Sequence, residues 1–145
     1  MGGRQAQDTI DAGHEEADEM AMQTDFEIAL ANRPGAAAEV GEALGAAGMN
    51  IEGMCAHATS GDGVMHILVE DDAAAARSAL ESAGLHIAAE RRVFVSPCPD
   101  RPGELGRLLR RIAAADLNLT ILYLTTKGRL VVAAEDIESV TGLLS

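Results

Sequence analysis

From Thr24 onward, apolar and polar positions change places in step. Phe26, Ile28 and Leu30 alternate with Asp25, Glu27 and Ala29, the two-residue period of a half-buried strand. The alternation breaks at Arg33-Pro34-Gly35. Val40, Ala43, Leu44 and Ala47 then recur at helical spacing across Ala36 to Gly48, and Pro34-Gly35 suits the opening of that helix, with Glu39 in its early turns. Gly41 and Gly45 inside the helix weaken it by about 1 kcal/mol each relative to Ala, which is expected where a helix packs closely on a neighbour.

Two apolar runs follow, Ile51 to Ala58 and Val64 to Glu70, joined by the hairpin signal Ser60-Gly61-Asp62-Gly63. Asp71 or Asp72 is placed to cap a helix over Ala73 to Ala83, whose apolar stripe is Ala76, Ala79, Leu80 and Ala83. Gly84 stops it, and Leu85 to Ala89 resumes strand character. The element order is β-α-β-β-α-β.

The chain then says nearly the same thing again. Val93 to Val95 reads as a strand, Glu104 to Ala115 as a helix, Asn118 to Thr125 and Arg129 to Ala134 as a hairpin, and a last helix opens at Asp136. Arg33 and Arg101, Gly35 and Gly103, and Asn50 and Asn118 are each 68 residues apart. Aligning Leu80 with Leu144 lowers the offset to 64, which predicts a four-residue deletion around Lys127-Gly128. On that alignment Ser145 falls opposite Glu81. The second unit is therefore expected to lack its last strand, leaving a gap or a place for another chain.

Composition bounds what such a chain does. Its 145 residues are 48% hydrophobic with a mean hydropathy near zero, as in a soluble globular protein with material for a core. Aromatics are 2% of the chain, so surfaces on which bases stack are nearly absent, and a net charge of -12 repels a phosphate backbone. No nucleic-acid partner is expected. The basic cluster Arg107, Arg110 and Arg111 reads as a solvated helix face beside Glu104. Cys55 and Cys98 lack the paired spacing of zinc or redox motifs, no signal peptide precedes them, and no apolar run approaches the roughly 20 residues that span a bilayer. A cytoplasmic protein without membrane association is expected.

Residues 1 to 23 are acidic and poor in large apolar side chains and read as a disordered tail, with Met20 or Met22 as an alternative translation start. The expected division is a tail over 1–23, a first unit over 24–91 and a second, truncated unit over 92–145.

Asn32-Arg33-Pro34-Gly35 followed after a helix by Gly48-Met49-Asn50-Ile51 resembles the ACT domain of amino-acid-regulated enzymes, such as the regulatory end of phosphoglycerate dehydrogenase. Asp100-Arg101-Pro102-Gly103 followed by Leu117-Asn118-Leu119 resembles the same pattern with substitutions. The resemblance covers residues 24 to 145. It implies two α+β, ferredoxin-like sandwiches in tandem and a non-catalytic regulatory protein that binds an amino acid between paired domains, as a homodimer and without a cofactor or metal. A regulated enzyme or transporter is a possible partner, and a ligand-free dimerisation or docking module is the alternative reading.

The chemistry of the motif stands without the family. Gly35 lets a backbone approach closely, the helix behind it presents free N–H groups to a carboxylate, and Asn50 offers a donor and acceptors to an ammonium and carboxylate together. The expected ligand residues are Asn32, Arg33, Gly35, Asn50 and Ile51, with Asp100, Gly103 and Asn118 as the second set. Asp100 in place of Asn32 adds a charge that repels a carboxylate unless Arg101 neutralises it, and Pro97 and Pro99 are expected to shorten the strand before it.

Other groupings carry less. Met54-Cys55-Ala56-His57 alternates along a strand, so the Met54 thioether and the His57 imidazole fall on different faces. His66 and His86 sit among apolar neighbours and read as hydrogen-bonded core histidines. An acylphosphatase-like pairing of Arg33 with Asn50 lacks the glycine-rich phosphate loop, and Pro34 removes a donor from it.

Overall fold

The computed structural model describes residues 20–70 and 72–145. The acidic segment before residue 20 lies outside the described residues. The described chain is α+β, with strands β1 (Ala21–Leu30), β2 (Ile51–Ala58), β3 (Gly63–Val69), β4 (His86–Pro97), β5 (Leu119–Leu124) and β6 (Arg129–Ala134). Its helices are α1 (Ala36–Ala46), α2 (Ala73–Ser82), α3 (Glu104–Ala114) and α4 (Ile137–Leu144). The sheet order is β2-β3-β1-β4-β6-β5, and every pairing with a defined register is antiparallel.

Two compact units divide the chain, one over Gln23–Val93 and one over Phe94–Ser145 together with the start of β1 as far as Met22. In the first unit, β-α-β-β-α-β with strand order β2-β3-β1-β4 is the ferredoxin-like arrangement. Phe26 and Ile28 of β1 and Met65, Ile67 and Val69 of β3 pack under Val40, Leu44, Ala76 and Leu80 of the helices. Alternation along each strand thus sends one set of side chains to the helices. Asp25, expected on an open face, is instead fully buried, as is Leu68 opposite it.

In the second unit, Phe94, Leu130 and Val132 pack with Leu108 and Ile112 of α3 and with Val140 and Leu144 of α4. Residues on the other face, Val95, Val131 and Ala133, are also buried. Met22, which the sequence placed in the tail, packs against this core, and Thr141 Oγ1 lies 3.6 Å from its Sδ. The strand therefore begins at Ala21, before the expected Thr24. The start of β1 joins this unit.

The two stretches read as separate strands at Leu85 to Ala89 and Val93 to Val95 are one continuous strand, β4. The polar run between them is tolerated because Glu90 pairs with Arg77 and Arg91 with Glu27. The strand also runs through to Pro97, which faces Arg129, so the prolines do not shorten it. Gly41 and Gly45 of α1 have no atom within 4 Å of a Cβ built on them, so close packing is not their reason.

The repeat survives in register. The ladder shifts between Ile51 and Gly53 in β2 and between Leu119 and Ile121 in β5, 68 residues later. Ile67 faces Phe26 as Val132 faces Phe94, an offset of 65 in the returning strand, and the caps Asp72 and Asp136 are 64 apart. The four missing residues are thus split, three from the hairpin and one from the turn into α4.

Candidate functional site

The loop from β1 into α1 has the conformation that its sequence demands. Gly35 holds φ 89°, a left-handed value that a side chain rarely adopts, and caps α1 with no side-chain hydrogen bond, so the first-turn amides have no side-chain acceptor there. Beside it lies an open groove of about 250 Å³. Asn32 and Arg33 form its polar rim, and Ala36 and Ala37 of α1 with Ala56 and Ala58 of β2 form its walls. Gly63 closes the end of the groove, where a Cβ would come within 3.3 Å of the His57 carbonyl oxygen.

Arg33 does not point a free cation into this space. Its Nη2 donates to both carboxylate oxygens of Glu39 at 2.8 and 2.9 Å, and its Nη1 donates to the Pro34 carbonyl at 3.3 Å. About half of each ion-pair side chain is exposed, so the pair is weak and exchangeable. In the second unit the charges are rearranged. Arg107 stands where Glu39 stood and Glu104 where Ala36 stood, and Glu104 accepts from both Arg101 and Arg107. The Arg107 hydrogen bond holds the Glu104 carboxyl below its usual range, with Arg101 adding to the effect.

Register decides which expected residues meet. Leu30 and Ala58 both face Gly63, so Asn32, Arg33 and Gly35 gather at the end of β1 and β2. Asn50 and Ile51 stand at the start of β2, where Ile51 faces Val69. An eight-residue strand separates the two ends by about 25 Å. One unit therefore does not bring Asn50 to Asn32. Asn118 is likewise at the start of β5, away from Asp100 and Gly103 at the end of β4. Asn50, Asn118, Asp100 and Gly103 are all exposed, and Ile51 is partly buried against the first core.

Sequence reasoning missed the alanine walls. The repeat contained the signal: at the offset of 68, Ala36, Ala37 and Ala56 correspond to the larger Glu104, Leu105 and Leu124. It also missed Asp25, whose Oδ2 lies 2.9 Å from Nδ1 of His66. His66 is hydrogen-bonded as expected, whereas His86 is exposed, not core. Cys55 faces His66 across the ladder, and burial, with the Asp25 charge second, pushes its thiol up. Burial followed by Glu104 and Asp100 does the same to Cys98. Neither thiol is activated as a nucleophile. Two of the three α3 cations have partners within their unit, Arg107 on Glu104 and Arg111 on the Leu143 carbonyl. Among the described residues no group of three or more His, Cys, Asp or Glu is placed to hold a metal ion, and no helix is long and apolar enough to cross a membrane.

The fold and the groove define an α+β chain of ferredoxin-like construction with a small-molecule-sized recess beside a glycine-opened helix. Solved structures share this fold. A protein of Bacteroides thetaiotaomicron matches with a TM-score of 0.75 and 21% identity over 86% of this chain and 88% of its own. The regulatory subunit of aspartate kinase from Thermus thermophilus matches at 0.60 and 20% over 86% and 93%, and that from Thermus flavus at 0.53 and 21% over 86% and 94%. No family model matches the chain, and no curated protein does.

Proposed function

We propose that this chain is a non-catalytic regulatory protein, built of two ACT-like units, that binds an amino acid at the loop from Asn32 to Gly35. The observation that carries the reading is the groove itself. It adjoins the uncapped, glycine-opened start of α1, where a carboxylate is stabilised, and its rim holds the Asn32 carboxamide, which can meet an ammonium group. Alanine walls leave room for a ligand side chain. Arg33 takes part by exchanging Glu39 for the ligand's carboxylate, at small loss because the ion pair is solvated. Since one unit keeps Asn50 far from Asn32, the second polar clamp on the ligand comes from another copy of the chain. The shared fold with regulatory subunits of aspartate kinase supports a regulatory role over a catalytic one.

A second reading, a ligand-free module for dimerisation or docking, is favoured by the exposed leucines Leu105, Leu122 and Leu124. Thermal unfolding in the presence of each common amino acid separates the two. A ligand at 100 times its dissociation constant adds about 2.7 kcal/mol, which raises the melting temperature by several degrees. The proposal expects a selective rise that is lost in Asn32→Ala while the unliganded melting temperature is kept. A flat response across all of them overturns it in favour of the ligand-free module.

A further inference from the structure

Within the first unit, helix α1 and strand β2 leave an apolar strip open. Met54 faces Ile67 and Ala56 faces Met65, both core residues beneath the helices, so Met54 and Ala56 stand on the helix side of β2. Ala58 joins them, since it faces Gly63 opposite Leu30. All three are nevertheless exposed, Met54 at 46%, so the helices leave this side of the edge strand uncovered. His57, between the two alanines, alternates to the other face, and what it brings to the groove is its carbonyl oxygen beside Gly63.

The opposite wall is the flank of α1. Ala36, Val40 and Leu44 are buried, whereas Ala37 is exposed and lines the groove with Ala56 and Ala58. Gly41 follows Ala37 by four residues on the same flank, and a Cβ built there meets nothing within 4 Å. Because α1 returns from the end of β1 to the start of β2, it runs against β2. Gly41 is one turn, about 6 Å, beyond Ala37 in the same direction in which Met54 is about 7 Å beyond Ala56. The groove thus continues past Ala56 as a trough, with Gly41 on one bank and Met54 on the other.

Its two ends differ in chemistry. Asn32, Arg33 and the first amides of α1 make one end polar, and carbon lines the rest. No lining residue of the groove is an aspartate or glutamate, so a cationic group at the tip of a ligand side chain finds no carboxylate there. Methylene groups gain from such walls, and the flexible thioether of Met54 adapts to an apolar tip.

We propose that the groove selects its amino acid by a long, unbranched, uncharged side chain of the methionine or norleucine type. The carboxylate sits at the start of α1, and the side chain runs between Ala37 and Ala56 toward Gly41 and Met54. The inference rests on the amino-acid reading above and adds to it the class of side chain, with Ala56 and Gly41 as the residues that set its permitted length.

Calorimetric titration of the full chain with 2-aminobutyrate, norvaline, norleucine and lysine tests it. Affinity is expected to rise about threefold with each added methylene, so about tenfold from 2-aminobutyrate to norleucine. Lysine, of similar length but charged, is expected to bind no more tightly than 2-aminobutyrate, although a net charge of -12 favours a cation. Ala56→Leu and Gly41→Leu each place a larger side chain in the trough at an exposed position, and each is expected to bring the norleucine to 2-aminobutyrate ratio close to one. Affinities that do not rise along the series, lysine binding as tightly as norleucine, or either variant keeping the wild-type ratio overturns the inference. If any of these is seen while binding is still lost in Asn32→Ala, the amino-acid reading stands and only the side-chain class falls. Absence of binding by any amino acid overturns both.

Discussion

Gly35 and Gly103, 68 residues apart, hold the same backbone conformation, with φ 89° and ψ −13° in the first and φ 88° and ψ −14° in the second. Each caps a helix whose fourth residue returns a hydrogen bond to it, Glu39 N–H to Gly35 O at 3.0 Å and Arg107 N–H to Gly103 O at 2.9 Å. Space is not the constraint at either glycine, because the nearest atom to a Cβ at Gly35 is the movable end of Arg33, and Gly103 has none within 4 Å. The left-handed backbone is the constraint. Gly35→Ala and Gly103→Ala are each expected to lower stability by about 1 kcal/mol and by equal amounts, measured by urea unfolding. Unequal effects would mean that the shared conformation is not what the glycines supply.

The helix glycines should behave oppositely. Gly41 and Gly45 are exposed in α1 with empty space around them, so a methyl group meets nothing while the unfolded chain loses freedom. Gly41→Ala and Gly45→Ala are each expected to raise stability by about 0.5 to 1 kcal/mol. A loss in the same unfolding experiment would point to a contact made outside a single chain.

Asp25 and His66 are paired in the first unit, and at the repeat offsets their counterparts are Val93, the last residue of that unit, and Val131 of the second. Both valines are fully buried. The repeat therefore shows that this place in the fold accepts an apolar pair. His66→Val alone is expected to cost about 3 kcal/mol, because it takes a partner from a fully buried carboxylate. The double change Asp25→Val with His66→Val is expected to be more stable than the single one. If it is less stable, the carboxylate has a structural role beyond His66.

Acid should strike the second unit through its own charges. Glu104 has its carboxyl held below the ordinary 4.5 by Arg107 first, and Asp136 is held below 3.8 by the hydroxyl and amide of Ser139. A carboxylate with a lowered folded value stabilises the fold above its unfolded value and loses that contribution as pH falls through the folded one. Stability should thus decline on acidification below about 4.5, and Glu104→Gln should flatten that decline. Thermal melts from pH 7 to 3 read it, and an unchanged slope in the variant would remove Glu104 from the account.

What the sequence by itself determined is local or periodic. Strand alternation at Phe26 and Ile28, the helix stripes, the glycine-opened loops and the two-fold recurrence depend on neighbours a few residues away or on spacing, and all can be read along the chain. The element order and the α+β class follow from them. Tertiary structure alone decided what meets across distance. Asp25 became a buried, paired carboxylate because register places it near a histidine 41 residues later, although alternation put it on an open face. Met22 joined the second core because β1 starts earlier than its composition suggests, and Glu90 and Arg91 stayed within a strand because ion pairs from elsewhere receive them. Asn32 and Asn50 looked like one clamp in the motif, yet β1 and β2 run parallel on either side of β3, and that direction sends the two asparagines to opposite ends. The groove belongs to the same class of fact: an alanine carries no sign in sequence of whether it lines a recess, and only the packing of α1 over β2 made one.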